Sequence, residues 1–395
     1  MKTPADSNSD VNKPKSGINT RLAHSGYDPK DYHGFVNPPV VHASTVLFPN
    51  TEVMHSRSAK YTYATHGTPT SDALADVLTE LENAAGTILV PSGLAAITVP
   101  MLAFANSGDH VLVVDSCYGP TRRFCDTVLV RLGVEIEYFD PSIGGGISSL
   151  LRKNTSIVMT ETPGSETFEM MDIPAICEAA HKVDAVVMLD NTWATPLFFK
   201  PLDFGVDISI HALTKYPSGH ADLVLGSASA NERTWEKLRD TQTALGICAA
   251  PDDCYMVFRG LKTMNVRLQR HQQSALEVAR WLQGRDDVAR VLHPALEECP
   301  GHELWKRDMG GSSGLFGFVL KGKSREESRA FLDALKLFGL GYSWGGFESL
   351  VTLPNLETRT IAKAPTDGTI IRLQIGLEDV SDIIADLELG FAALG

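Results

Sequence analysis

A lysine, Lys215, stands in the segment HALTKYPSGH, directly after the short alternating stretch GVDISI. A lysine that forms a Schiff base with a carbonyl compound needs a lowered pKa and a fixed position, so it favours a crowded and partly dry site. Threonine, tyrosine, serine and glycine neighbours in a tight turn would provide such a site. The alternative is an ordinary loop lysine whose amine lies in water, so the assignment needs support from other residues.

Asp190 supplies that support, because it ends the apolar run AVVMLD, one predicted strand before the lysine. The ring of pyridoxal phosphate (PLP) is an electron sink, and a carboxylate beside its ring nitrogen keeps that nitrogen protonated. An aspartate at one strand end and a lysine after the next strand predict this arrangement. The alternative is that Asp190 only caps the following turn.

A phosphate site is indicated by the segment PSGLAA, residues 91–96, which ends one strand and opens a helix. The backbone N–H groups at a helix start, together with the hydroxyl of Ser92, can bind an anion. Thr214, next to the lysine, can add a second hydroxyl. A purely structural strand-to-helix turn is the alternative.

Two further residues fit the same chemistry. Tyr118 follows a predicted strand end and could stack on a flat cofactor, although tyrosines are often buried for packing alone. Arg372 lies within the apolar strand TIIRLQIG, and its guanidinium group would suit an amino-acid carboxylate if it faced inward. An outward orientation is the alternative on strand alternation.

Two other glycine-rich segments predict no site. Residues 310–314 fit the serine-hydrolase pattern G-x-S-x-G, but a strand-like LFGFVL follows where that motif needs a helix. The GGG at residues 144–146 lacks the spacing of a dinucleotide site. No Cys/His spacing matches a zinc site, so we expect no metal.

The predicted elements place these residues together. From about Thr68, helical periodicity alternates with apolar runs such as HVLVVD, TSIVMTE and DAVVMLD, which predicts an α/β fold with a mainly parallel sheet covered on both faces. Ligands bind beyond the carboxyl ends of such strands. By position alone, this rule makes candidates of Asp115, Glu161, Asp190 and the loop that holds Lys215.

The pattern changes after residue 254, where RGLKTMNVRLQRHQQSALEVARWLQGR predicts one long amphipathic helix that leads into a smaller α+β domain. We therefore predict an N-terminal arm at residues 1–65, with residues 1–16 flexible, a cofactor-binding large domain at residues 66–254, and a small C-terminal domain at residues 255–395.

Composition excludes several function classes. The chain has 395 residues and a formal net charge of −13, which gives no support for binding nucleic acid or an anionic membrane. Its six scattered cysteines suit a reducing compartment, and we expect a cytoplasmic protein. The uncharged segment 86–108 is interrupted by Pro91, Gly93 and Pro100, so it predicts a buried strand, a turn and a core helix rather than a membrane span.

With these residues assembled, the chain resembles the Cys/Met-metabolism family of PLP enzymes from about Asn19 onward. The most specific segments are MLDNTWATPLFFKPLDFGVDISIHALTKY, VARVLHPAL, GHELWKRDMGGSSGLFGFVL, YSWGGFESL and IRLQIGLEDV. The resemblance implies the fold type I architecture of PLP-dependent transferases, similar to aspartate aminotransferase. It also implies a homotetramer built from dimers that share their active sites.

The resemblance further implies the roles of individual residues. Lys215 forms the Schiff base with PLP, Asp190 pairs with the ring nitrogen, and Tyr118 stacks on the ring. The phosphate is held by Ser92, Gly93, Leu94 and Thr214. The substrate carboxylate is received by Arg372 and the segment of Tyr342, Ser343 and Trp344. Tyr63 corresponds to a tyrosine that reaches into the neighbouring subunit's site, where it joins Lys215 and Tyr118 as a catalytic residue.

The resemblance implies α,β-elimination of L-cystathionine to homocysteine, pyruvate and ammonia, as in methionine biosynthesis, mainly because of YSWGGFESL. The alternatives are a γ-lyase, a γ-synthase, a cysteine desulfhydrase, an amino-acid (alanine) racemase, or a non-catalytic binding protein with this fold.

Two positions depart from the family pattern: Thr65 replaces an arginine that contacts the partner's phosphate, and Ala212 replaces a phosphate-binding serine. We therefore expect weaker PLP retention than in an arginine-bearing relative.

Overall fold

The structure, a computed structural model, describes residues 16–56 and 58–394. The predicted flexible segment 1–16 therefore lies, except for its last residue, outside the described residues.

The described helices and strands follow one another in a nearly regular alternation through the first two thirds of the chain. The helices are α1 (Ile18–His24), α2 (Thr51–Ser56), α3 (Pro69–Glu82), α4 (Gly93–Phe104), α5 (Gly119–Phe124), α6 (Ile173–His181), α7 (Thr195–Phe198), α8 (Trp235–Ala244), α9 (Pro251–Leu261), α10 (Met264–Gln283), α11 (His302–Asp308), α12 (Glu327–Ala334) and α13 (Val380–Ala392). The strands are β1 (Gly86–Val90), β2 (His110–Val114), β3 (Glu135–Phe139), β4 (Thr155–Glu161), β5 (Val186–Asp190), β6 (Ile208–Ala212), β7 (Gly226–Ala230), β8 (Val288–Leu292), β9 (Leu315–Lys321), β10 (Gly339–Leu340), β11 (Leu350–Thr352) and β12 (Gly368–Gln374).

A large sheet organises the first part of the chain, with strand order β1-β7-β6-β5-β4-β2-β3. The pairs within β3-β2-β4-β5-β6 are parallel, and only β7 runs antiparallel to its neighbours β6 and β1. Strands β1, β2, β4 and β5 are buried along most of their length, as in sheets covered on both faces, which explains why they are nearly continuous apolar runs. The predicted α/β class with a mainly parallel sheet is confirmed.

The uncharged segment 86–108 forms buried β1, a turn at Pro91 and Ser92, and the largely buried helix α4. The predicted strand, turn and helix are confirmed. Within the described residues, no helix has both the length and the apolar character needed to cross a membrane.

A second, smaller sheet has the order β10-β11-β12-β9-β8. The single long helix predicted over residues 259–285 is wrong, because the chain turns at Lys262 and Thr263 and separates α9 from α10. Helix α10 begins in one core, where Leu268 packs near α3 and α9, and ends in the core of the small sheet through Ala275 and Leu282. The domain boundary at residue 254 stays a prediction, and that residue lies inside α9.

Asp115, at the carboxyl end of β2, links the large sheet to the segment that precedes β12. Its fully buried carboxylate accepts hydrogen bonds from the N–H groups of Thr360 (3.2 Å), Ile361 (2.8 Å) and Ala362 (2.7 Å), and from the guanidinium of Arg122. Burial raises the pKa of Asp115, but these hydrogen bonds outweigh it and hold the pKa below its usual value. Asp115 is therefore a structural clamp and not a lining residue of the cavity described below.

Replacement of this clamp gives a stability prediction. Asp115→Asn should lower the free energy of unfolding by about 3 kcal/mol, because it leaves the buried Arg122 without a compensating charge. The lowered pKa means that this stabilisation is present above the unfolded pKa of about 3.9 and is lost as the pH falls through the folded value. Urea unfolding at neutral and acidic pH should show the difference shrinking in acid. An equal loss in the exposed control Asp286→Asn would contradict this account.

Candidate active site

A cavity of about 560 Å³ lies beyond the carboxyl ends of β4, β5 and β6, where the small-sheet part of the chain covers the large sheet. This is the edge at which ligands bind in such sheets. It brings together most of the residues that the sequence singled out: Ser92, Gly93, Leu94, Tyr118, Asp190, Thr214, Lys215, Tyr342, Ser343, Trp344 and Arg372.

Lys215 follows β6 on a tight turn and directs its amine into the cavity. Its Nζ donates a hydrogen bond to Ser343 Oγ (2.9 Å) and lies 5.1 Å from the centre of the Trp344 ring. Burial, together with the positive charge of Arg372, lowers the pKa of Lys215 to about 8, and the negative charges of Asp190 and Glu166 oppose the shift. A substantial fraction of this amine is therefore neutral, and so nucleophilic, near physiological pH.

The turn that carries Lys215 is fixed from two sides. The buried guanidinium of Arg267 on α10 donates hydrogen bonds to the carbonyl oxygens of Tyr216 (2.8 Å) and Gly260 (2.8 Å). On the other side, Gly345 has φ +82°, and a Cβ at this position would lie 2.8 Å from the backbone nitrogen of Tyr216. Only glycine allows this approach, which brings Ser343 and Trp344 against the lysine.

Asp190 ends β5 and lines the cavity floor. Burial raises its pKa, whereas the hydroxyl and N–H of Thr192 and the nearby charges of His211 and Lys215 lower it. The Thr192 hydroxyl accepts from Ala212 N (2.9 Å) and donates to Asp190 Oδ1, so one carboxylate oxygen is held in place and the other remains for a ligand. Sequence reasoning missed Thr192, although an aspartate followed two residues later by threonine is a known local hydrogen-bonding pattern.

The start of α4 lines the cavity with a cradle of backbone N–H groups, an arrangement that suits an anion. The Ser92 hydroxyl caps the helix by accepting from Ala95 N (3.1 Å), and the N–H groups of Gly93 and Leu94 precede the first intrahelical hydrogen bonds. A Cβ at Gly93 would lie 2.5 Å from the Cβ of Ala212 on β6, so the close approach of helix and strand requires glycine.

Thr214 also lines the cavity, but its hydroxyl is engaged with the backbone. It donates to the carbonyl oxygen of Leu225 (3.1 Å) and accepts from the N–H of the same residue (3.1 Å). The predicted donation from Thr214 to a phosphate therefore requires this hydroxyl to change partner.

Tyr118 precedes α5, lines the cavity and is 44 % exposed. Burial of its hydroxyl and the charges of Asp190 and Glu161 raise the pKa of Tyr118, so the phenol is protonated at neutral pH. Its backbone N–H donates to Glu161 Oε2 (2.7 Å). Glu161, a candidate by position, also lines the cavity, and burial together with the nearby Asp190 raises its pKa well above the usual value.

Arg372 faces the cavity from β12 and is 6 % exposed, so the outward orientation considered from strand alternation is wrong. Its Nη2 donates to the carbonyl oxygen of Tyr342 (2.7 Å), and its Nη1 donates to Glu166 Oε1 (3.0 Å). The Tyr342 ring itself is 89 % exposed, so this residue contributes its carbonyl group to the site. Sequence reasoning missed Glu166, and no local pattern signals it.

Tyr63 is not part of this cavity within one chain. It is 48 % exposed and lines a separate cavity of about 970 Å³, together with Thr65 and His66. Its proposed role in a neighbouring subunit's site stays a prediction.

In the described part of the chain, no group of three or more His, Cys, Asp or Glu side chains is placed to hold a metal ion.

The Lys215 cavity has the groups that PLP needs: an amine of lowered pKa, a carboxylate with a free oxygen, an exposed aromatic ring and a glycine cradle that a Cβ would fill. Comparison with known proteins agrees with this fit. Residues 19–392 match the model of the family described as Cys/Met metabolism PLP-dependent enzyme.

Individual relatives are similar over almost the whole chain. A protein named "Putative cystathionine beta-lyase" from Rhizobium johnstonii is 66 % identical over 382 residues, covering 96 % of each chain. The cystathionine beta-lyase MetC of Escherichia coli is 45 % identical over 390 residues, covering 95 % of this chain and 98 % of MetC. The solved structure of cystathionine gamma synthase from Xanthomonas oryzae, in complex with aminoacrylate and cysteine, has a TM-score of 0.88 at 32 % identity and covers 97 % of this chain and 99 % of that one.

The chain therefore belongs to the Cys/Met metabolism family of PLP-dependent enzymes, with the fold type I architecture. Its cofactor is pyridoxal phosphate, and it is a PLP-dependent carbon–sulfur lyase. The roles of the individual cavity residues stay predictions.

The lowered pKa of Lys215 can be tested on the cofactor-free protein. The rate at which added PLP forms its Schiff base should rise about tenfold per pH unit below pH 8 and level off above it, because only the neutral amine attacks. Stopped-flow absorbance measures this rate. The variant Lys262→Ala, at a half-buried lysine outside the cavity, should give the same profile. A rate still rising at pH 10 would show that the amine is not perturbed.

Proposed function

We propose that the chain catalyses the α,β-elimination of L-cystathionine, yielding homocysteine, pyruvate and ammonia. The observation that carries the proposal is the position of the Lys215 amine, 2.9 Å from Ser343 Oγ and 5.1 Å from the Trp344 ring centre. The relatives named cystathionine beta-lyase, at 66 % and 45 % identity, support it.

Arg372 is the group that would bind and orient the substrate's α-carboxylate. A buried guanidinium has a planar fork of donors that suits a carboxylate. Its contact with the Tyr342 carbonyl fixes the plane of the fork above the cavity. Binding of the carboxylate at this fork would place the α-amino group of the substrate toward the end of the cavity that holds Lys215.

When bound, PLP supplies an electron sink for the pair left at the substrate's α carbon. Asp190 would hold a proton at the ring nitrogen through its free carboxylate oxygen, and the Thr192 hydroxyl fixes the orientation of that carboxylate. The cradle at Gly93 and Leu94 would bind the phosphate with N–H groups.

Lys215 would carry the protons of the reaction. Once released from the cofactor, its neutral amine can take the proton from the α carbon, since its pKa of about 8 lies near the working pH. The resulting ammonium can then give a proton to the sulfur as the carbon–sulfur bond breaks. The Trp344 ring, 5.1 Å from Nζ, covers one side of this amine.

A γ-synthase is the second candidate, because the Xanthomonas oryzae structure carries that name at a TM-score of 0.88. α-, β- and γ-chemistry share binding, loss of the α-proton and the same lysine. The γ-lyase, desulfhydrase and racemase alternatives differ only in which bond breaks or which face is reprotonated, and the product distinguishes them all.

We further infer a cytoplasmic homotetramer with shared active sites. Tyr63, Thr65 and His66 lie together outside their own chain's Lys215 cavity, where a second copy could use them. All six cysteines lie in the described residues and are free thiols, which suits a reducing compartment.

The products test the reaction directly. Incubation of the PLP-loaded protein with L-cystathionine should yield pyruvate and homocysteine, identified by mass. 2-Oxobutyrate with cysteine would instead establish γ-elimination. Neither 2-oxo acid, in a protein with a normal cofactor spectrum, would direct attention to racemisation.

The lysine has a separate test. Lys215→Ala should lower turnover at least about a thousandfold and abolish the Schiff-base absorption band, because both depend on the same amine. Lys262→Ala should leave both unchanged. Retention of turnover in Lys215→Ala would remove this lysine from the mechanism.

A further inference from the structure

Glu166 occupies the position in which the substrate carboxylate is expected. Its Oε1 accepts a hydrogen bond from Arg372 Nη1 at 3.0 Å, while Arg372 Nη2 donates to the Tyr342 carbonyl. Both terminal nitrogens of this buried guanidinium thus have partners before any substrate binds. A substrate carboxylate that used the same fork would have to take the place of Glu166.

The loop that presents Glu166 has an uncommon backbone conformation. Glu166 has φ +66° and Phe168 has φ +63°, both in the left-handed region that side-chain-bearing residues seldom adopt. The loop is closed by Gly164 N to the Glu169 carbonyl (2.8 Å) and Phe168 N to the Gly164 carbonyl (2.9 Å). Such conformations persist where the surroundings impose them, and they concentrate at functional sites.

The same loop is anchored from the small-sheet side. The buried Arg359 guanidinium donates to the Ser165 carbonyl and to the Thr167 hydroxyl. These contacts flank Glu166 on both sides, so its backbone is held while its side chain extends toward Arg372. The carboxylate is therefore presented by a fixed loop, and only its side-chain torsions need to change for it to leave.

The second carboxylate oxygen, Oε2, is buried and has no hydrogen-bond donor among the described residues. The negative charge of Glu166 nevertheless acts on two other side chains of the cavity: it contributes a rise to the pKa of Lys215 and to that of Tyr118. A second carboxylate placed on Arg372 would lie beside this unpartnered oxygen, and two like charges at that separation repel. Glu166 and a substrate carboxylate are therefore competitors.

We propose that Glu166 fills the α-carboxylate site at Arg372 when no substrate is bound and must be displaced by the carboxylate of the incoming substrate. This inference rests on the proposed role of Arg372. Glu166 keeps the buried guanidinium paired when no substrate is bound, since an unpaired buried charge is strongly unfavourable. It also lowers the affinity for every amino-acid carboxylate, because part of the binding free energy is needed to displace Glu166 from Arg372.

Glycine and glycinamide are suitable probes, because both carry the amine, only glycine carries the carboxylate, and neither can undergo elimination. Their dissociation constants for the PLP-loaded protein are measured from the change in cofactor absorbance. Glu166→Gln should bind glycine about tenfold more tightly than the unaltered protein, with no change for glycinamide. Glu348→Gln is the matched control: it removes the same charge from an exposed residue five positions after Ser343 in the chain, and it should alter neither constant.

Glu166→Gly serves as a second variant, because glycine adopts a positive φ without strain and the carboxylate is removed entirely. It should show the same selective gain for glycine. Unchanged or weaker glycine binding in both folded variants would overturn the proposal, as would an equal gain for glycinamide. Equal affinity of both variants for glycine and glycinamide would instead overturn the role of Arg372, and this inference with it.

Discussion

Removing the Lys215 amine from water is the constraint around which the site is built. A buried ammonium is unfavourable, so burial shifts the lysine toward its neutral form and lowers its pKa to about 8. The neutral amine still needs a hydrogen-bond acceptor, which Ser343 Oγ provides, and an apolar cover, which the Trp344 ring provides. Both belong to the small-sheet part of the chain, whereas the lysine belongs to the large sheet. The chemistry therefore depends on the two sheets being held together.

Several charges around the amine act in opposite directions. Arg372 favours the neutral lysine, while Asp190 and Glu166 favour the ammonium. Glu166 is itself paired with Arg372, so the two largely cancel in the empty site. The same ion pair that occupies the guanidinium of Arg372 therefore also limits its effect on the pKa of Lys215.

Much of this site could be predicted from local patterns. Lys215, Asp190 and the PSGLAA turn follow strand ends, and the parallel sheet brings all such ends to one edge. The residues that were missed act through contacts between segments distant in sequence. Asp115 was expected in the site but clamps residues 360–362, some 245 residues away along the chain. Glu166 reaches Arg372 because its backbone is left-handed, and a glutamate at that position gives no sign of such a conformation in the sequence. The break between α9 and α10 was also invisible, since the apolar periodicity continues through it.

The contact between Gly93 and Ala212 has a consequence for how this protein can change over evolutionary time. With an alanine methyl at position 212 and the Thr214 hydroxyl committed to Leu225, the anion cradle consists mainly of main-chain N–H groups. Main-chain donors are present whatever side chains the helix carries, so most substitutions along α4 leave the cradle intact. The cradle depends on the short distance between helix and strand: a Cβ at position 93 would lie 2.5 Å from the Ala212 Cβ and would push α4 from β6. The cradle should therefore tolerate changes in side-chain chemistry along α4, but not a larger side chain at the contact between Gly93 and β6.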